Sequence, residues 1–164
     1  MYNYYDEDNL IPKEPVVNHT TDHGPYPFTV DINKATEHND NYRTVLWTGD
    51  HLQVALMSIP VGDSIGLEIH PDNDQFLHIE EGQGLVQMGD RKDNLYFNQP
   101  AYEDYALLIP AGTWHTVINT GNKPLKLFSI YAPPHHPKGT LHQSKAIAEA
   151  SERYHPKTYF PNYR

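Results

Sequence analysis

The stretch that decides the fold runs Asp104-Tyr-Ala-Leu-Leu-Ile-Pro110-Ala-Gly112-Thr-Trp-His115-Thr-Val-Ile-Asn119. Apolar and β-branched residues stand on both sides of Pro110-Ala-Gly112, and that tripeptide has the composition of a tight turn. We therefore predict two strands, Ala106–Ile109 and Thr113–Ile118, joined by this turn. An earlier stretch has the same character: Gly62-Asp-Ser-Ile-Gly-Leu-Glu68-Ile-His70-Pro-Asp-Asn-Asp-Gln75-Phe-Leu-His-Ile-Glu-Glu-Gly82. It predicts the strands Ser64–His70 and Gln75–Ile79 around a turn at residues 71–74.

Short runs of this kind fill the middle of the chain, and each break between them carries Gly, Pro, Asn or Asp. The remaining predicted strands are Thr44–Trp47, His51–Ile59, Gly84–Met88 and Leu125–Tyr131. Many short strands at this spacing are typical of an all-β sandwich or barrel. The segment Asn94–Asp104 is longer and less regular than a hairpin needs, so we interpret it as a loop inserted near the mouth of the barrel.

The two flanks have a different composition. Residues 1–41 are polar, contain Pro and His, and show little periodicity. We interpret them as an N-terminal arm that crosses the surface or a neighbouring subunit, which favours a homodimer. Residues 133–164 form a loop, a Tyr- and Pro-rich tail and one predicted helix, about His142–Glu152, favoured by its alanines. Residues 42–132 are then the barrel.

The composition excludes several classes of protein. The 164 residues fit one domain, and the absence of cysteine rules out disulfides and thiolate metal sites. The net charge of -9 repels phosphate backbones and anionic lipid, so neither nucleic acid nor a membrane is an expected partner. The N-terminus is acidic and unlike a secretory signal, and no apolar run approaches the roughly 20 residues that span a bilayer, which predicts a cytoplasmic protein.

Histidine, carboxylate and amide side chains in the two stretches predict a metal site. Side chains two apart on a strand share a face, about 6.6 Å apart along it, so Glu68 and His70 point the same way. The turn after His70 returns Gln75 beside them, and the turn at residues 110–112 brings His115 to the same side. Two nitrogens and two oxygens that converge inside a barrel suit a divalent first-row metal.

These two stretches resemble the paired motifs of the cupin superfamily, G-x5-H-x-H-x(3,4)-E-x6-G and G-x5-P-x-G-x2-H-x3-N. Four positions match the second motif: Pro110, Gly112, His115 and Asn119. Asp104 replaces its leading glycine. The first motif keeps its spacing, but Glu68 stands where the first histidine usually lies and Gln75 replaces the glutamate. The resemblance covers residues 42–132 and implies a double-stranded β-helix, the cupin jelly-roll barrel, with an N-terminal arm and a short C-terminal helix.

The departures from the family pattern bear on the metal. The resemblance implies three histidines and one carboxylate, and the set Glu68, His70, Gln75 and His115 carries the same total charge. This set is rich in oxygen, which favours Mn, Fe or Co more than a typical zinc site does; the predicted cofactor is a divalent Mn, Fe, Co, Ni or Zn ion. An alignment with a one-residue gap makes Asp72 a ligand instead of Glu68. Some superfamily members have lost the metal, so a polar cluster that satisfies itself by hydrogen bonds is the other interpretation.

The candidate catalytic residues are His135, His136 and Tyr131. The segment Pro133-Pro-His135-His136-Pro137 follows the last strand. It either covers the mouth of the barrel, with a histidine as acid or base, or is a solvated loop. His78 has the opposite parity to Gln75 and should face away from the interior.

The fold alone does not determine the function. The resemblance is closest to small cupins labelled mannose-6-phosphate isomerase-like. It implies a metal-dependent enzyme that acts on a small polar metabolite by Lewis-acid isomerisation or lyase chemistry. No cluster of Arg or Lys is evident at the predicted mouth, which disfavours a phosphorylated sugar. The alternatives are an Fe(II)-dependent dioxygenase and a non-catalytic protein that binds a small molecule or serves as a coat component.

Overall fold

The computed structural model describes residues 22–154, in which nine strands and two helices form. The strands are β1 (Arg43–Thr48), β2 (Gln53–Ile59), β3 (Asp74–Glu81), β4 (Gln83–Gly89), β5 (Phe97–Tyr102), β6 (Ala106–Ile109), β7 (Trp114–Asn119), β8 (Leu125–Ala132) and β9 (Leu141–His142). The helices are α1 (Ile32–Glu37) and α2 (Lys145–Tyr154). Seven of the eight predicted strands are present, each within two residues of its expected ends.

The strands form two antiparallel sheets. The larger sheet has the order β6-β3-β8-β2-β1-β9, and the smaller has the order β5-β4-β7. Strand β8 lies between β2 and β3, so the chain crosses repeatedly from one sheet to the other. This crossing pattern is that of a jelly roll, in which two sheets face each other around one core. The predicted all-β, double-stranded β-helix is confirmed.

The main core lies between the two sheets. Leu127 on β8 pairs directly with Met57 on β2 and with Ile79 on β3, so the three side chains form one row on the inner face. This row packs with Val86 and Val117 of the smaller sheet. All five residues are at most 2% exposed, and burying each such side chain stabilises the fold by roughly 1.5–3 kcal/mol.

A second, smaller core covers the outer face of the larger sheet. Leu46 and Leu56 are buried there against Ala35 of α1. Asp31 caps this helix, because its side chain accepts a hydrogen bond from the backbone N–H of Lys34. The helix lies within the segment that we interpreted as an irregular arm, and residues 22–41 of that arm pack against their own barrel. The rest of the arm, residues 1–21, lies outside the described residues.

One predicted strand is wrong: residues 64–70 do not form a regular strand. The segment meets β7 at two isolated residue pairs, Ser64 with Ile118 and Glu68 with His115. Between them Gly66 has a φ of 85°, a left-handed conformation that interrupts an extended ladder. The segment therefore follows β7 as an irregular edge of the smaller sheet.

The segment Asn94–Asp104 also differs from the prediction of an inserted loop. It contains β5, which pairs with β4 and forms one edge of the smaller sheet. Most of its side chains are exposed, and Asn98, Gln99 and Pro100 hide the apolar alternation that marks a strand. Proline is accepted here because an edge strand leaves one row of N–H groups unpaired.

The turns of the two motifs share one backbone conformation. Gly62, Gly82 and Gly112 have φ values between 76° and 97°. Asp104, which stands in place of the leading glycine of the second motif, has a φ of 68°. Asp is among the few residues other than Gly that tolerate this left-handed region. The substitution at Asp104 therefore keeps the turn.

The predicted C-terminal helix is present as α2, but it begins at Lys145. His142, where the prediction placed its start, belongs instead to β9 and pairs with Arg43 of β1. The Tyr- and Pro-rich tail, residues 155–164, lies outside the described residues. Within residues 22–154, neither helix has the length and apolar character that crossing a bilayer requires.

The assignment of inner and outer faces can be tested with two leucines. Leu77 on β3 is 0% exposed and Leu108 on β6 is 71% exposed. We expect Leu77→Ala to lower the free energy of unfolding by about 2–5 kcal/mol, because it leaves a cavity in the core. Leu108→Ala, the matched control, should change it by less than about 0.5 kcal/mol. Urea denaturation followed by circular dichroism measures both values, and equal losses would contradict the assignment.

Candidate metal centre

Three of the predicted ligands converge on one point. The atoms of Glu68, His70 and His115 that could bind a metal all lie within 4.8 Å of one another. Oε1 of Glu68 is 3.2 Å from Nε2 of His70 and 3.4 Å from Nε2 of His115. The two histidines are 2% and 0% exposed, whereas the side chain of Glu68 retains 19% exposure. The cluster is therefore enclosed, with its carboxylate nearest to solvent.

Backbone pairing explains why Glu68 and His115 meet. The N–H of Glu68 donates to the carbonyl oxygen of His115 at 3.0 Å. The N–H of His115 donates in return to the carbonyl oxygen of Glu68 at 2.9 Å. Residues paired in this way point their side chains to the same face. The N–H of Gly112 also donates to the carbonyl oxygen of His70 at 2.9 Å. The turn of the second motif thus fixes the ligands of the first.

A hydrogen bond fixes the orientation of the His115 ring. Its Nδ1 lies 2.9 Å from the carbonyl oxygen of Thr113, which can only accept, so Nδ1 donates. The neutral ring then keeps its lone pair on Nε2, which faces the Glu68 carboxylate without a hydrogen bond. Two electron-pair donors this close need a cation between them, either a proton or a metal ion. A carbonyl acceptor behind the imidazole is also the usual arrangement for a metal ligand.

The carboxyl group of Glu68 is ionised. Burial by itself would raise its pKa. The imidazoles of His115 and His70 and the positive charge of Arg43 outweigh burial and hold the pKa of Glu68 well below its usual range. An ionised carboxylate is the form in which a Glu side chain binds a divalent metal.

Gln75, the fourth predicted ligand, lies on β3 and is 4% exposed. Its Nε2 donates to Oγ of Ser129 at 3.0 Å, whereas its Oε1 is buried without a hydrogen-bond partner. The oxygen is the atom of an amide that can bind a divalent metal. Asp72, the alternative to Glu68, is exposed in the turn before β3 and is not part of the cluster.

The distances within the cluster fit a bound metal. With metal–ligand bonds of roughly 2.1 Å, neighbouring ligand atoms lie about 3.0–3.4 Å apart in octahedral or tetrahedral geometry. The 3.2 and 3.4 Å separations from Oε1 of Glu68 fall in this range. Two imidazoles, a carboxylate and an amide oxygen are a donor set that suits the divalent ions from Mn to Zn.

Residues 133–137, which we call the mouth loop, cover the cluster at the end of β8. Gln53 is 0% exposed, and its side-chain oxygen accepts hydrogen bonds from the backbone N–H groups of His135 and His136, at 3.2 and 2.9 Å. Its amide nitrogen donates to the carbonyl oxygen of His136 at 2.8 Å. Asn73 also donates to the carbonyl oxygen of Pro133. The mouth loop is therefore anchored to the barrel over the cluster, although Pro133 and Pro137 remain exposed.

The end of β8 and the mouth loop place the three catalytic candidates beside the predicted metal ligands. Ring centroids are 4.1 Å apart between His135 and His70, 5.6 Å between Tyr131 and His70, and 5.0 Å between Tyr131 and His136. Burial, helped by the positive charge of Arg43, holds the pKa of His136 well below its usual range, so its ring is neutral at neutral pH. Burial raises the pKa of Tyr131 to about 12, which keeps its hydroxyl protonated.

Two other side chains show what strand parity can and cannot predict. His78 faces away from the interior, as predicted, and stacks on Phe128 with 5.2 Å between ring centroids. Arg43 was missed: it is 2% exposed and pairs with Met57, whose side chain belongs to the inner core. The predicted first strand began one residue later, so no inward direction was assigned to Arg43. The sequence did offer a signal, because Arg43 stands two residues before the buried Val45 and residues two apart on a strand share a face.

A separate concavity of about 460 Å³ lies at the other end of the strands. Its lining includes Gly82, Thr120 and Lys123, in the turns that follow β3 and β7. The metal-binding side chains lie where these two strands begin. Lys123 is already paired with Glu81 at 2.8 Å. This concavity is therefore not part of the candidate site.

Comparisons with known proteins agree with this geometry. A family model described as a cupin domain matches residues 55–131. The chain is 57% identical to the uncharacterized protein YrkC of Bacillus subtilis over 148 residues, which are 90% of this chain and 75% of YrkC. It is 41% identical to the uncharacterized protein L612 of Acanthamoeba polyphaga mimivirus over 115 residues, 70% of each chain.

One solved structure is similar to this chain in both sequence and fold. The crystal structure of BH2720 from Bacillus halodurans matches with a TM-score of 0.79 and 68% identity, over 79% of this chain and 98% of BH2720. The chain belongs to the cupin superfamily. The names of these relatives state no substrate, so an activity must be argued from the site itself.

The ligand set can be tested by metal analysis. Protein purified without chelator or nickel resin is expected to carry near-stoichiometric divalent metal by inductively coupled plasma mass spectrometry. Glu68→Ala and His115→Ala should lose it, because each removes a donor atom from the cluster. Gln75→Ala should weaken binding less, because a neutral amide is a weaker donor than the anionic carboxylate.

The matched control for metal analysis is His51→Ala, since His51 is exposed and distant in sequence from both motifs. It should retain the metal content of the wild type. Equal metal in His115→Ala and the wild type would place the metal elsewhere. No metal after reconstitution of the wild type would favour the self-satisfied polar cluster.

The role of Gln53 in fixing the mouth loop can be tested by hydrogen exchange. In Gln53→Met the amides of His135 and His136 lose their acceptor, so we expect their exchange to become at least about tenfold faster. Gln99→Met is the matched control, because Gln99 is exposed on β5. Unchanged protection in Gln53→Met would mean that other contacts fix the loop.

Proposed function

We propose that this protein is a metal-dependent enzyme that converts a small polar metabolite, bearing a carbonyl group or vicinal hydroxyls, by isomerisation or lyase chemistry. The observation that carries the proposal is the convergence of Glu68, His70 and His115, in which Nε2 of His115 is buried 3.4 Å from Oε1 of Glu68 without a hydrogen-bond partner, as is Oε1 of Gln75 on β3. A purely structural polar cluster would be expected to satisfy these atoms by hydrogen bonds.

The residues that would hold the metal are Glu68, His70 and His115, with Gln75 as a fourth ligand. When bound, the metal supplies Lewis acidity that polarises a carbonyl or hydroxyl oxygen of the substrate. The backbone pairing of Glu68 with His115 and the bond from His115 to Thr113 keep the ligands oriented before the metal arrives. Such preorganisation reduces the cost of assembling the site.

His136 and Tyr131 are the residues that move or stabilise a proton. The neutral ring of His136 can accept a proton from a substrate carbon or hydroxyl. The protonated hydroxyl of Tyr131 can donate a hydrogen bond to the oxygen on which negative charge develops. Their rings are 5.0 Å apart, so both can contact one small ligand. The fixed mouth loop limits the entry of bulk water to this position.

The size of the substrate follows from the crowding at the mouth. Four aromatic rings, those of His70, Tyr131, His135 and His136, lie within 4.1–5.6 Å of their neighbours, centroid to centroid. Rings in such close contact leave little room beside the metal-binding side chains, which favours a small metabolite over a polymer. This supports a low-molecular-weight substrate for the proposed enzyme.

The proposed chemistry can be tested by deuterium exchange. Chelator-treated protein is reloaded separately with Mn²⁺, Fe²⁺, Co²⁺, Ni²⁺ or Zn²⁺ and incubated in D₂O with a panel of small sugars, hydroxy-ketones and oxo acids. Removal of a proton next to a carbonyl replaces that hydrogen with deuterium, which NMR detects even at low turnover. We expect exchange with at least one metal, and a loss of about 100-fold or more in His136→Gln.

The control for deuterium exchange is His51→Gln, which should keep the wild-type rate. Oxygen consumption by the Fe²⁺-loaded protein, without deuterium exchange, would indicate a dioxygenase instead. Stoichiometric metal with neither activity would contradict an enzymatic function and favour a protein that only binds its ligand.

A further inference from the structure

Buried polar atoms without hydrogen-bond partners accumulate at one end of the barrel. Besides the metal-binding side chains, this group comprises Nε and Nη1 of Arg43, the hydroxyl of Tyr131, Nε2 of His136 and Nδ1 of His142; within residues 22–154, only Nε2 of His23 and Nδ1 of His78 lie outside it. Native proteins leave few such atoms unpaired, and each one calls for an explanation. A metal ion would satisfy His115 and Gln75, but it cannot satisfy the N–H groups of a guanidinium.

Arg43 lies on the inner face of the larger sheet. It pairs with Met57 of β2 and with His142 of β9. Val45, two residues further along β1 and therefore on the same face, packs with Tyr131 in the interior. With 2% exposure, the side chain of Arg43 has no route to solvent and extends into the barrel on the side of Tyr131.

The guanidinium of Arg43 has no anionic partner among residues 22–154. None of the ion pairs in this range includes Arg43. Its Cζ lies 5.5 Å from the ring centroid of Tyr42, and this contact leaves both Nε and Nη1 without acceptors. Glu68 is engaged by the two histidines of the cluster. An unpaired buried charge is strongly destabilising, so binding of an anion would be favourable.

Electrostatics keeps Arg43 positively charged in this position. Burial by itself would lower the pKa of the guanidinium, but the nearby acidic groups, Tyr131 and Glu68 first among them, raise it. The same positive charge lowers the pKa of His136 and of His142.

The donors of Arg43 select a carboxylate. The planar guanidinium presents pairs of N–H groups that match the two oxygens of a carboxylate. Nε and Nη1 do not share an edge of the fork: each forms an edge with Nη2, so a carboxylate on either edge would use one of these two unpaired donors together with Nη2. A phosphate group carries more charge and usually needs several cations. Lys126 and Lys145, both largely buried, are committed to Asp40 and Asp63. One guanidinium beside an anionic Glu68 therefore favours a carboxylate.

We propose that Arg43 binds the carboxylate group of the substrate, so that the enzyme acts on a small carboxylic acid. Its carbonyl or hydroxyl oxygen then lies toward Glu68, His70 and His115. The substrate assignment rests on the proposed function of the metal centre. Binding of a carboxylate by Arg43 can be measured independently of that function.

The test uses acetate as the probe and acetamide as its neutral isostere, at constant ionic strength. The chain has four arginines, Arg43, Arg91, Arg153 and Arg164, so their Nε–H signals can be assigned by single substitutions to Lys. Zn²⁺-loaded and chelator-treated protein are titrated in parallel by ¹H–¹⁵N NMR. We expect a saturable shift of the Arg43 Nε–H signal with acetate, and little or none with acetamide.

Substitutions separate charge from shape. Arg43→Met keeps a similar volume and should raise the acetate dissociation constant by about 10- to 100-fold. Arg43→Lys keeps the charge but not the planar fork of donors. Its acetate dissociation constant should therefore lie between those of Arg43→Met and the wild type. The matched control is Arg91→Met, since the Arg91 side chain is 68% exposed; it should leave the constant unchanged. If Arg43→Met does not fold, the titration of the wild type with acetate and acetamide still shows whether Arg43 binds a carboxylate.

The outcomes distinguish this inference from the proposed function. A saturable Arg43 response in protein that binds no metal would support the carboxylate site and refute the metal-dependent enzyme. Metal binding and deuterium exchange without an Arg43 response would overturn the carboxylate site alone, leaving Arg43 as a structural residue packed on Tyr42. An equal response to acetamide would also overturn it, because the charge of the ligand would then have no role.

Discussion

The two backbone hydrogen bonds between Glu68 and His115 are the contact on which the candidate site depends. They attach the irregular segment 60–70 to β7, and they turn two residues that are 47 positions apart in sequence into direct neighbours. Because paired residues share a face, the carboxylate and the imidazole must converge. The bond from Gly112 to His70 adds the third ligand from the same loop. The metal centre is thus a consequence of how the barrel closes.

The interior of the barrel is divided between packing and chemistry. The row formed by Met57, Leu127 and Ile79 is apolar and packs against the smaller sheet. Toward the mouth the interior becomes polar, where Gln53 makes its hydrogen bonds with the mouth loop. Satisfied groups such as Gln53 give rigidity, whereas the unsatisfied donors and acceptors around Arg43 and Gln75 are available to a ligand. The apolar core and the candidate site therefore lie at different ends of the barrel interior.

Comparison of the two expectations that failed shows where local patterns mislead. The run 64–70 has the composition of a strand, yet Gly66 turns the backbone so that its neighbours pair with β7 only in isolation. The run 94–104 has the composition of a loop, yet β5 within it pairs with β4, because an exposed edge strand needs no apolar alternation. In both cases the pairing partner decided the structure: the run 64–70 meets β7, which is distant in sequence, and the run 94–104 meets β4, the strand before it.

The sequence by itself determined the strands of the barrel, the turns between them and the side chains able to bind a metal. These features depend on contacts between near neighbours: a period of two along a strand, and a left-handed φ at positions such as Gly112. Only the tertiary structure decided that Arg43 is buried and that the mouth loop is fixed over the cluster. Gln53 holds His135 across 82 residues of chain, and Arg43 lies between β2 and β9, two strands of one sheet that are far apart in sequence. Contacts of that range leave no local periodicity, so they became visible only once the sheets were assembled.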